Sequence, residues 1–563
     1  MVPPGAAHYA AERIKEREAG MQGMMMHRPL SIIEILRFAS EIHSTAEVVS
    51  VRTEGDIHRQ TYAETYARVA RLAHGLAGLG IAPGDRVATL AWNGYRHLEL
   101  YYAVSGIGAV CHTINPRLSA EQLIYITHHA EDRVLFLDTT FLPIVEALAD
   151  KLPADMRYVL MTDRAHMPES KVELICYEDL LDGQEESYDW PEPDENDAAS
   201  LCYTSGTTGN PKGALYSHRS TVLHAMETAI TLYSSLREGK RVIPVVPMFH
   251  VNAWGLPYAA PMTGVSLIMP GPKLDGASLF DLIEGEQVDA AWGVPTVWQG
   301  LLAEFRKRGT HPKCFTDMVV GGSAAPTSMI EAFEKMGVSV CHAWGMTEMS
   351  PIGTQGLLPR ELREAPLSDQ IALKSRQGRR MFGVDLKIVD EEGKPLPHDG
   401  KASGELYVRG NTVISGYFEN AEATAEAFDS EGWFGTGDIA SIDERGFLLI
   451  QDRAKDLIKS GGEWISSIDL ENVVSAHPKV ASCAVIAVPH PKWDERPLLI
   501  VVPEGDDRPG KDEIDALLLE HVAKWQLPDA MEFVDELPLT ATGKVSKLTL
   551  RKRFADYKLP DAG

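Results

Sequence analysis

The chain has 563 residues, of which 44% are hydrophobic and 24% charged, and it carries a formal net charge of −26. That length exceeds what one core supports and calls for two or more domains. Such an acidic balance argues against binding nucleic acid or an anionic membrane through the overall field, so an anionic ligand has to be held by local donors.

Residues 1–27 are read as an unstructured or start-site extension. They lack the apolar segment of a signal peptide, and Met21 and Met24 to Met26 suit an alternative start. The cysteines Cys111, Cys176, Cys202, Cys314, Cys341 and Cys483 form no C-x-x-C pair and read as reduced core thiols. No apolar run reaches the roughly 18 residues of a membrane span. The expectation is a soluble, cytoplasmic protein with no transmembrane segment.

From Arg28 onward, helical and strand patterns alternate. "TYAETYARVARLAHGLAGLGI" has apolar positions at helical spacing and a stop at Gly80. "DRVATLAW" and "DRVLFLD" are short apolar runs of the kind found in buried parallel strands. The acidic stretch from Glu186 to Ser200 reads as a surface connection. Next come the strand-like runs "RVIPVVPMF", "GVSLIMPGP", "AAWGVP" and "DMVVGGS", with helical stretches at Ser278–Glu286 and Thr296–Lys307 between them. This alternation predicts an α/β fold with substantial parallel sheet flanked by helices, and with ligands at the C-terminal strand ends. Near Gln451 the character changes to a unit of about a hundred residues. It holds "VASCAVIAVP", "RPLLIVVP" and the amphipathic "KDEIDALLLEHVAKW". The expected division is 28–451 for a large N-terminal domain and 452–563 for a small α+β domain.

The stretch "TSGTTGNPKG" carries the clearest chemistry. Gly206, Gly209 and Gly213 allow positive φ and close approach of a ligand. Successive amides there can form an anion nest, with hydroxyls from Thr204, Ser205, Thr207 and Thr208 and a mobile charge on Lys212. It does not fit the G-x-x-x-x-G-K-[ST] phosphate loop, yet a plain turn needs no such set of donors.

Read with "AWGMTE", "GWFGTGDIA", "DRAKDLIKSGGEWIS" and "PLTATGKVSK", in that order, the chain resembles the adenylate-forming (AMP-binding) superfamily of acyl-CoA synthetases, luciferases and peptide-synthetase adenylation domains. The resemblance covers nearly everything after Arg28. It implies a large N-terminal domain, a small mobile C-terminal one, and a two-step reaction. A carboxylate attacks the α-phosphate of ATP to give acyl-AMP and pyrophosphate, and coenzyme A then takes the acyl group.

The resemblance also implies site roles. The glycine loop grips the β- and γ-phosphates, and Glu348 holds Mg²⁺ with Thr204 near the metal. Gly322, Ser323, Ala324, Ala325, Pro326 and Trp344 form the adenine pocket, and Ala343, Gly345 and Thr347 also bind the nucleotide. Trp344 stands where the family usually has Tyr, so stacking survives and a phenol hydrogen bond is lost. Asp438 takes the ribose hydroxyls with Arg453 and Lys455 beside it, and Lys544 is the mobile catalytic lysine. Asp452 is the hinge. After rotation Lys459, Ser460, Gly461, Gly462 and Trp464 lie near the nucleotide and the approach of coenzyme A.

The acyl group falls to "VPMFHVNAWGLPYAA". Trp254 resembles the gating indole of medium- and long-chain fatty acyl-CoA synthetases. His250 is either near the phosphates or structural. The stretch is apolar and offers no cation for a second carboxylate. The leading substrate is a medium- or long-chain fatty acid, followed by the thioether 3-methylmercaptopropionate and then aryl acids. Acylation of a separate carrier protein, a luciferase-like oxygenase and a non-catalytic binder are the other classes. The close branch of the family implies a homodimer.

Overall fold

The computed structural model describes residues 23–204, 210–461, 463–505, 507–540 and 544–560. Three sheets organise them. The first runs in the order Leu174–Cys176, Arg157–Leu160, Asp132–Leu137, Arg86–Leu90, Val110–Thr113, Ala198–Tyr203 and Gly213–Ser217. Its neighbours are parallel except the last pair, an antiparallel hairpin that brackets the glycine-rich loop. The two "DR" runs are therefore adjacent parallel strands, as their apolar make-up predicts.

The second sheet has 13 strands. Its parallel part contains Glu47–Val51, Ser266–Met269, Arg241–Pro244, Ala290–Gly293, Asp317–Val320 and Ser339–Gly345. Helices Gly276–Gly285, Pro295–Arg308 and Thr327–Lys335 fall between these strands in the chain, the alternation that parallel pairing needs. Beyond Ser339–Gly345 the pairing turns antiparallel, through Ile352–Gln355 to Phe434–Ile442 and Phe447–Arg453.

Local signals set the helix ends. Thr61 and Glu64 make a capping box at the start of Tyr62–Gly78, and Gly80 stops it at φ +71°. Helix Tyr95–Gly106 is buried along its whole length, between elements of the main core.

The third sheet is the C-terminal unit: Ile458–Ser460, Glu463–Ile465, Val480–His490, Asp494–Pro503 and Ala530–Phe533. The predicted long helix ends early, at Leu519, because Val522 and Leu527 fold back onto the same cluster as Leu518. Strand Phe447–Arg453 belongs to the 13-stranded sheet and carries Asp452 and Arg453 at its end. The acidic 186–200 stretch is less superficial than predicted. Its Trp190 packs on Gly106 and donates to Tyr66 Oη at 3.0 Å, and its last three residues begin a strand. All six cysteines are free. Among the described residues no helix is long and apolar enough to cross a membrane.

Candidate functional site

The site forms where strands end. Gly321 and Gly322 follow strand Asp317–Val320, Val294 follows Ala290–Gly293, and Ala343 to Gly345 end Ser339–Gly345. The approach there is close enough to demand glycine. A side chain at Gly321 would meet the Ala343 carbonyl at 2.7 Å and the Trp254 ring at 3.2 Å. At Gly322, with φ +84°, it would meet Val294 at 3.2 Å, the Lys544 Cε at 3.5 Å and the Trp254 ring at 3.8 Å. Ser323 and Ala324 continue this loop, Ser323 exposed and Ala324 half-buried.

The phosphate-type loop is pinned at its base. Thr204 N donates to the Lys212 carbonyl at 2.8 Å, and Lys212 N donates to Thr204 Oγ1 at 3.3 Å. Ser205, Gly206, Thr207, Thr208 and Gly209 lie outside the described residues. The Lys212 ammonium stands 5.0 Å from the centre of the Tyr417 ring. Tyr417 Oη donates to Glu348 Oε1 at 2.8 Å. Glu348 is only 7% exposed. Burial pushes its carboxyl pKa up, against the Tyr417 hydrogen bond and the charges of Arg453 and Lys212. Tyr216 Oη donates to the Thr347 carbonyl at 2.5 Å and fixes the turn before Glu348.

Trp344 Nε1 donates to Asp438 Oδ2 at 2.9 Å, and Arg453 Nε stands 2.8 Å from Oδ1. Trp344 has no phenol hydroxyl, but its indole N–H donates to the Asp438 carboxylate instead. Asp438 is buried and its pKa is raised for that reason, with Arg453, Trp344 and Lys544 holding it back. Lys455 lies in the turn beyond Arg453, its ammonium held below the usual lysine range first by burial.

Lys544 reaches this group from the C-terminal unit. Its backbone is held in a hairpin: Thr540 N donates to its carbonyl at 2.6 Å, and its own N donates to Thr540 Oγ1 at 3.2 Å. Burial pulls the ammonium down to about 8, helped by Arg453 and opposed by Asp438 and Glu348. Its charge and burial push the nearby His250 imidazole down to about 3, burial being the larger cause. Trp254 is buried at 7% exposure. It sits in a left-handed turn, Val251–Gly255, in which every residue has positive φ.

The structure therefore brings together Glu348, Trp344, Asp438, Arg453, Lys544, His250, Trp254 and Gly322. It does not bring Lys459, Ser460, Gly461 and Trp464 to them. Those residues form a hairpin on the C-terminal unit. Ser460 accepts from Arg496 at 2.9 Å, Gly461 N donates to the Trp493 carbonyl, and Lys459 stands 5.8 Å from the Trp464 ring centre. Gly462 lies outside the described residues. Asp452 is 2% exposed and accepts from Ser467 N at 2.8 Å, from Ser467 Oγ and from Arg453 N at 2.8 Å. Tyr417 and Asn252 were not legible in the sequence, because neither "SGYFEN" nor "HVNAW" marks them by spacing or residue type.

Among the described residues no cluster of three His, Cys, Asp or Glu side chains could hold a metal ion. A buried carboxylate such as Glu348 suits a Mg²⁺ whose other ligands are phosphates and water.

The sequence profile of AMP-binding enzymes matches residues 38–418, and that of the AMP-binding enzyme C-terminal domain matches residues 469–544. The chain is 50% identical over 538 residues to 3-methylmercaptopropionyl-CoA ligase of Ruegeria lacuscaerulensis, spanning 95% of this chain and 99% of that relative. It is also 50% identical over 545 residues to medium-chain-fatty-acid–CoA ligase of Ectopseudomonas oleovorans, spanning 96% and 98%. Its fold is that of the anthranilate CoA ligase AuaEII solved with anthranoyl-AMP. The TM-score is 0.82 at 24% identity, over 95% of this chain and 99% of that one. Two profiles in the right order, and half the residues shared with these ligases over almost their whole length, make the chain a member of the AMP-binding enzyme family.

Proposed function

We propose that the chain is an ATP-dependent acyl-CoA ligase that forms acyl-AMP and then acyl-CoA. The observation that carries this reading is Lys544, which reaches from the C-terminal unit over Gly322 into a pocket shared with Asp438 and Glu348. A lysine there can neutralise charge between an attacking carboxylate and the α-phosphate. The acid oxygen bonds to the α-phosphorus, the bond to the β-phosphate bridging oxygen breaks, and pyrophosphate leaves. In the second step the coenzyme A sulfur gives up its proton to solvent and bonds to the acyl carbon, the bond from that carbon to the phosphate oxygen breaks, and AMP leaves.

In this reading Lys212 and the glycine loop meet the β- and γ-phosphates. Trp344 and the Gly322–Ala324 loop take adenine, and Asp438 with Arg453 takes ribose. Glu348 and Thr204 would hold Mg²⁺, which supplies charge neutralisation on the triphosphate when bound. His250, held neutral, faces the lysine end of the pocket. Trp254 gates the acyl site. Residues 28–451 and 452–563 are the working domains, joined at Asp452. A swing there would carry Lys459, Ser460, Gly461 and Trp464 inward for the thioester step. A homodimer in the cytoplasm, where ATP and coenzyme A meet, completes the proposal.

The acid is a medium- or long-chain fatty acid, with 3-methylmercaptopropionate as the second reading. Equal 50% identity to ligases of both kinds supports keeping both. An apolar turn around Trp254 accepts a thioether as readily as a methylene. AMP release with coenzyme A across straight-chain, thioether and aryl acids tests this. A steep preference for one chain length supports the first reading, and a preference for the short thioether supports the second. Absence of acid-dependent ATP–pyrophosphate exchange with every acid refutes the ligase.

A further inference from the structure

Tyr417 touches two groups assigned to the triphosphate, and it uses a different part of its side chain for each. Its hydroxyl donates to Glu348 Oε1 at 2.8 Å. Its ring face lies 5.0 Å from the Lys212 ammonium. Among the described residues no ion pair joins Lys212 to Glu348 directly.

Tyr417 is itself well anchored. Its N–H donates to Thr424 Oγ1 at 2.9 Å, and its ring meets Phe434 edge-on with centroids 6.3 Å apart. The next residue, Phe418, donates its N–H to the Gly213 carbonyl at 2.8 Å. The segment carrying Tyr417 is thus stitched to the strand that leaves the glycine-rich loop, next to Lys212.

The physical consequence is a separation of charges. A buried carboxylate needs a donor, and the phenol supplies one while fixing the position of Glu348. A lysine seated on a ring face is held weakly and without direction. A direct Lys212–Glu348 ion pair would instead have to break before either group could serve the nucleotide. We propose that Tyr417 is a positioning residue that keeps Lys212 and Glu348 apart and poised: the ring seats the lysine in the nucleotide-free enzyme, and the hydroxyl orients Glu348 toward a cation arriving with ATP. This rests on the reading of Lys212 as a phosphate contact and Glu348 as a metal ligand.

The test uses the full chain with Y417F, Y417L and E348Q. Binding of Mn²⁺ with a non-hydrolysable ATP analogue is read from the paramagnetic resonance of free Mn²⁺. Binding of metal-free analogue is read by fluorescence displacement. Y417F, which keeps the ring, weakens Mn²⁺ binding about tenfold, the loss expected for a hydrogen bond to a charged group. It leaves metal-free analogue binding and the KM for the acid unchanged. Y417L also weakens analogue binding, about threefold, because Lys212 is then captured by Glu348 in a competing ion pair. That second loss disappears in the E348Q background, where no carboxylate remains to capture the lysine. Wild-type Mn²⁺ binding by Y417F overturns the proposal. So does an equal Y417L loss with and without Glu348, or a rise in acid KM that tracks the rest, which marks a merely structural role. If E348Q binds Mn²⁺ as tightly as the unaltered chain, the metal-ligand reading itself fails.

Discussion

Trp344 and Asp438 are joined by a hydrogen bond of 2.9 Å from the indole Nε1 to Oδ2. Arg453 approaches Oδ1 of the same carboxylate at 2.8 Å. Both oxygens are therefore fixed before a ribose arrives, and its hydroxyls must use the lone pairs that remain. In the proposed reading Trp344 has two roles: its ring would stack on adenine, and its N–H would orient the carboxylate that takes the ribose.

Trp344→Phe separates these roles. The stacking face survives and the donor is lost, so the KM for ATP should rise about tenfold, the worth of a hydrogen bond to a charged group. The loss runs through Asp438, so the preference for ATP over 2′-deoxy-ATP should shrink in the variant. An equal shift for both nucleotides would mean that the N–H does not orient the ribose contact.

Much of this arrangement was legible in the sequence, and the part that was not has a physical reason. Apolar runs such as "DRVLFLD" and "DMVVGGS" became parallel strands because burial on both faces leaves a continuous hydrophobic signature. Gly322 was legible through the family resemblance, and the fold supplies its reason, a backbone approach too close for a side chain. Tyr417 was not, since a tyrosine after a glycine reads equally well as core. The left-handed turn at Val251–Gly255 was not legible either. Its first four residues are not glycine, and local preference points away from positive φ. Tertiary contacts override that preference, and they are absent from a single sequence. The acidic stretch hid Trp190 for the same reason: its composition is polar, while its one large ring is what packs.

Under the proposed function Lys544 should set the pH dependence. Burial and Arg453 bring its ammonium down to about 8, from an unperturbed value of about 10.4. In the proposed mechanism the ammonium is the active form, so activity should be present below the folded pKa and lost as pH rises through it. The kcat/KM for adenylate formation, which reports the free enzyme, should be flat below and fall above an apparent pKa near 8. His250, pushed down to about 3, should add no limb between pH 5 and 8. Arg453→Met removes a neighbouring positive charge and should move the fall to higher pH. Lys544→Ala should abolish ATP–pyrophosphate exchange while sparing thioester formation from pre-made acyl-adenylate. A profile that first breaks near pH 10 would remove Lys544 from the pocket as described.

Asp452 ties the end of strand Phe447–Arg453 to the C-terminal unit, at the joint of the proposed domains. It accepts from Ser467 N, at the start of helix Ser467–Val474, and from Arg453 N. Lys547 steadies the same corner, 2.5 Å from Ser467 Oγ and 2.8 Å from Glu471. Asp452→Ala leaves buried donors without an acceptor, at about 1–3 kcal/mol each. The joint should then open more often. Cleavage by trypsin at Arg453, Lys455 or Lys459 should accelerate about tenfold or more when opening is fast relative to cutting. Unchanged cleavage would show that the carboxylate does not hold the joint.

Asn252 ties the Trp254 turn to the strand that leads into the glycine-rich loop. Its Nδ2 donates to Ser200 Oγ at 3.1 Å, and the Cys202 thiol donates to its Oδ1 at 3.5 Å. Both partners lie on Ala198–Tyr203, which leads into Thr204. The turn itself is unfavourable, since a non-glycine residue in the left-handed region costs about 1–2 kcal/mol. Asn tolerates that region better than Ala, and Gly better still. Asn252→Ala should therefore disturb the Trp254 turn more than Asn252→Gly, which loses the tethers but keeps the conformation accessible. Gly255→Ala should be worst, because φ is +79° there and an added Cβ would lie 2.7 Å from His224 Nδ1. The order Gly255→Ala, Asn252→Ala, Asn252→Gly should appear as a graded flattening of acid chain-length preference, with the KM for ATP unchanged. If the chain-length profile stays sharp in all three variants, the turn does not set the position of Trp254 against the acid.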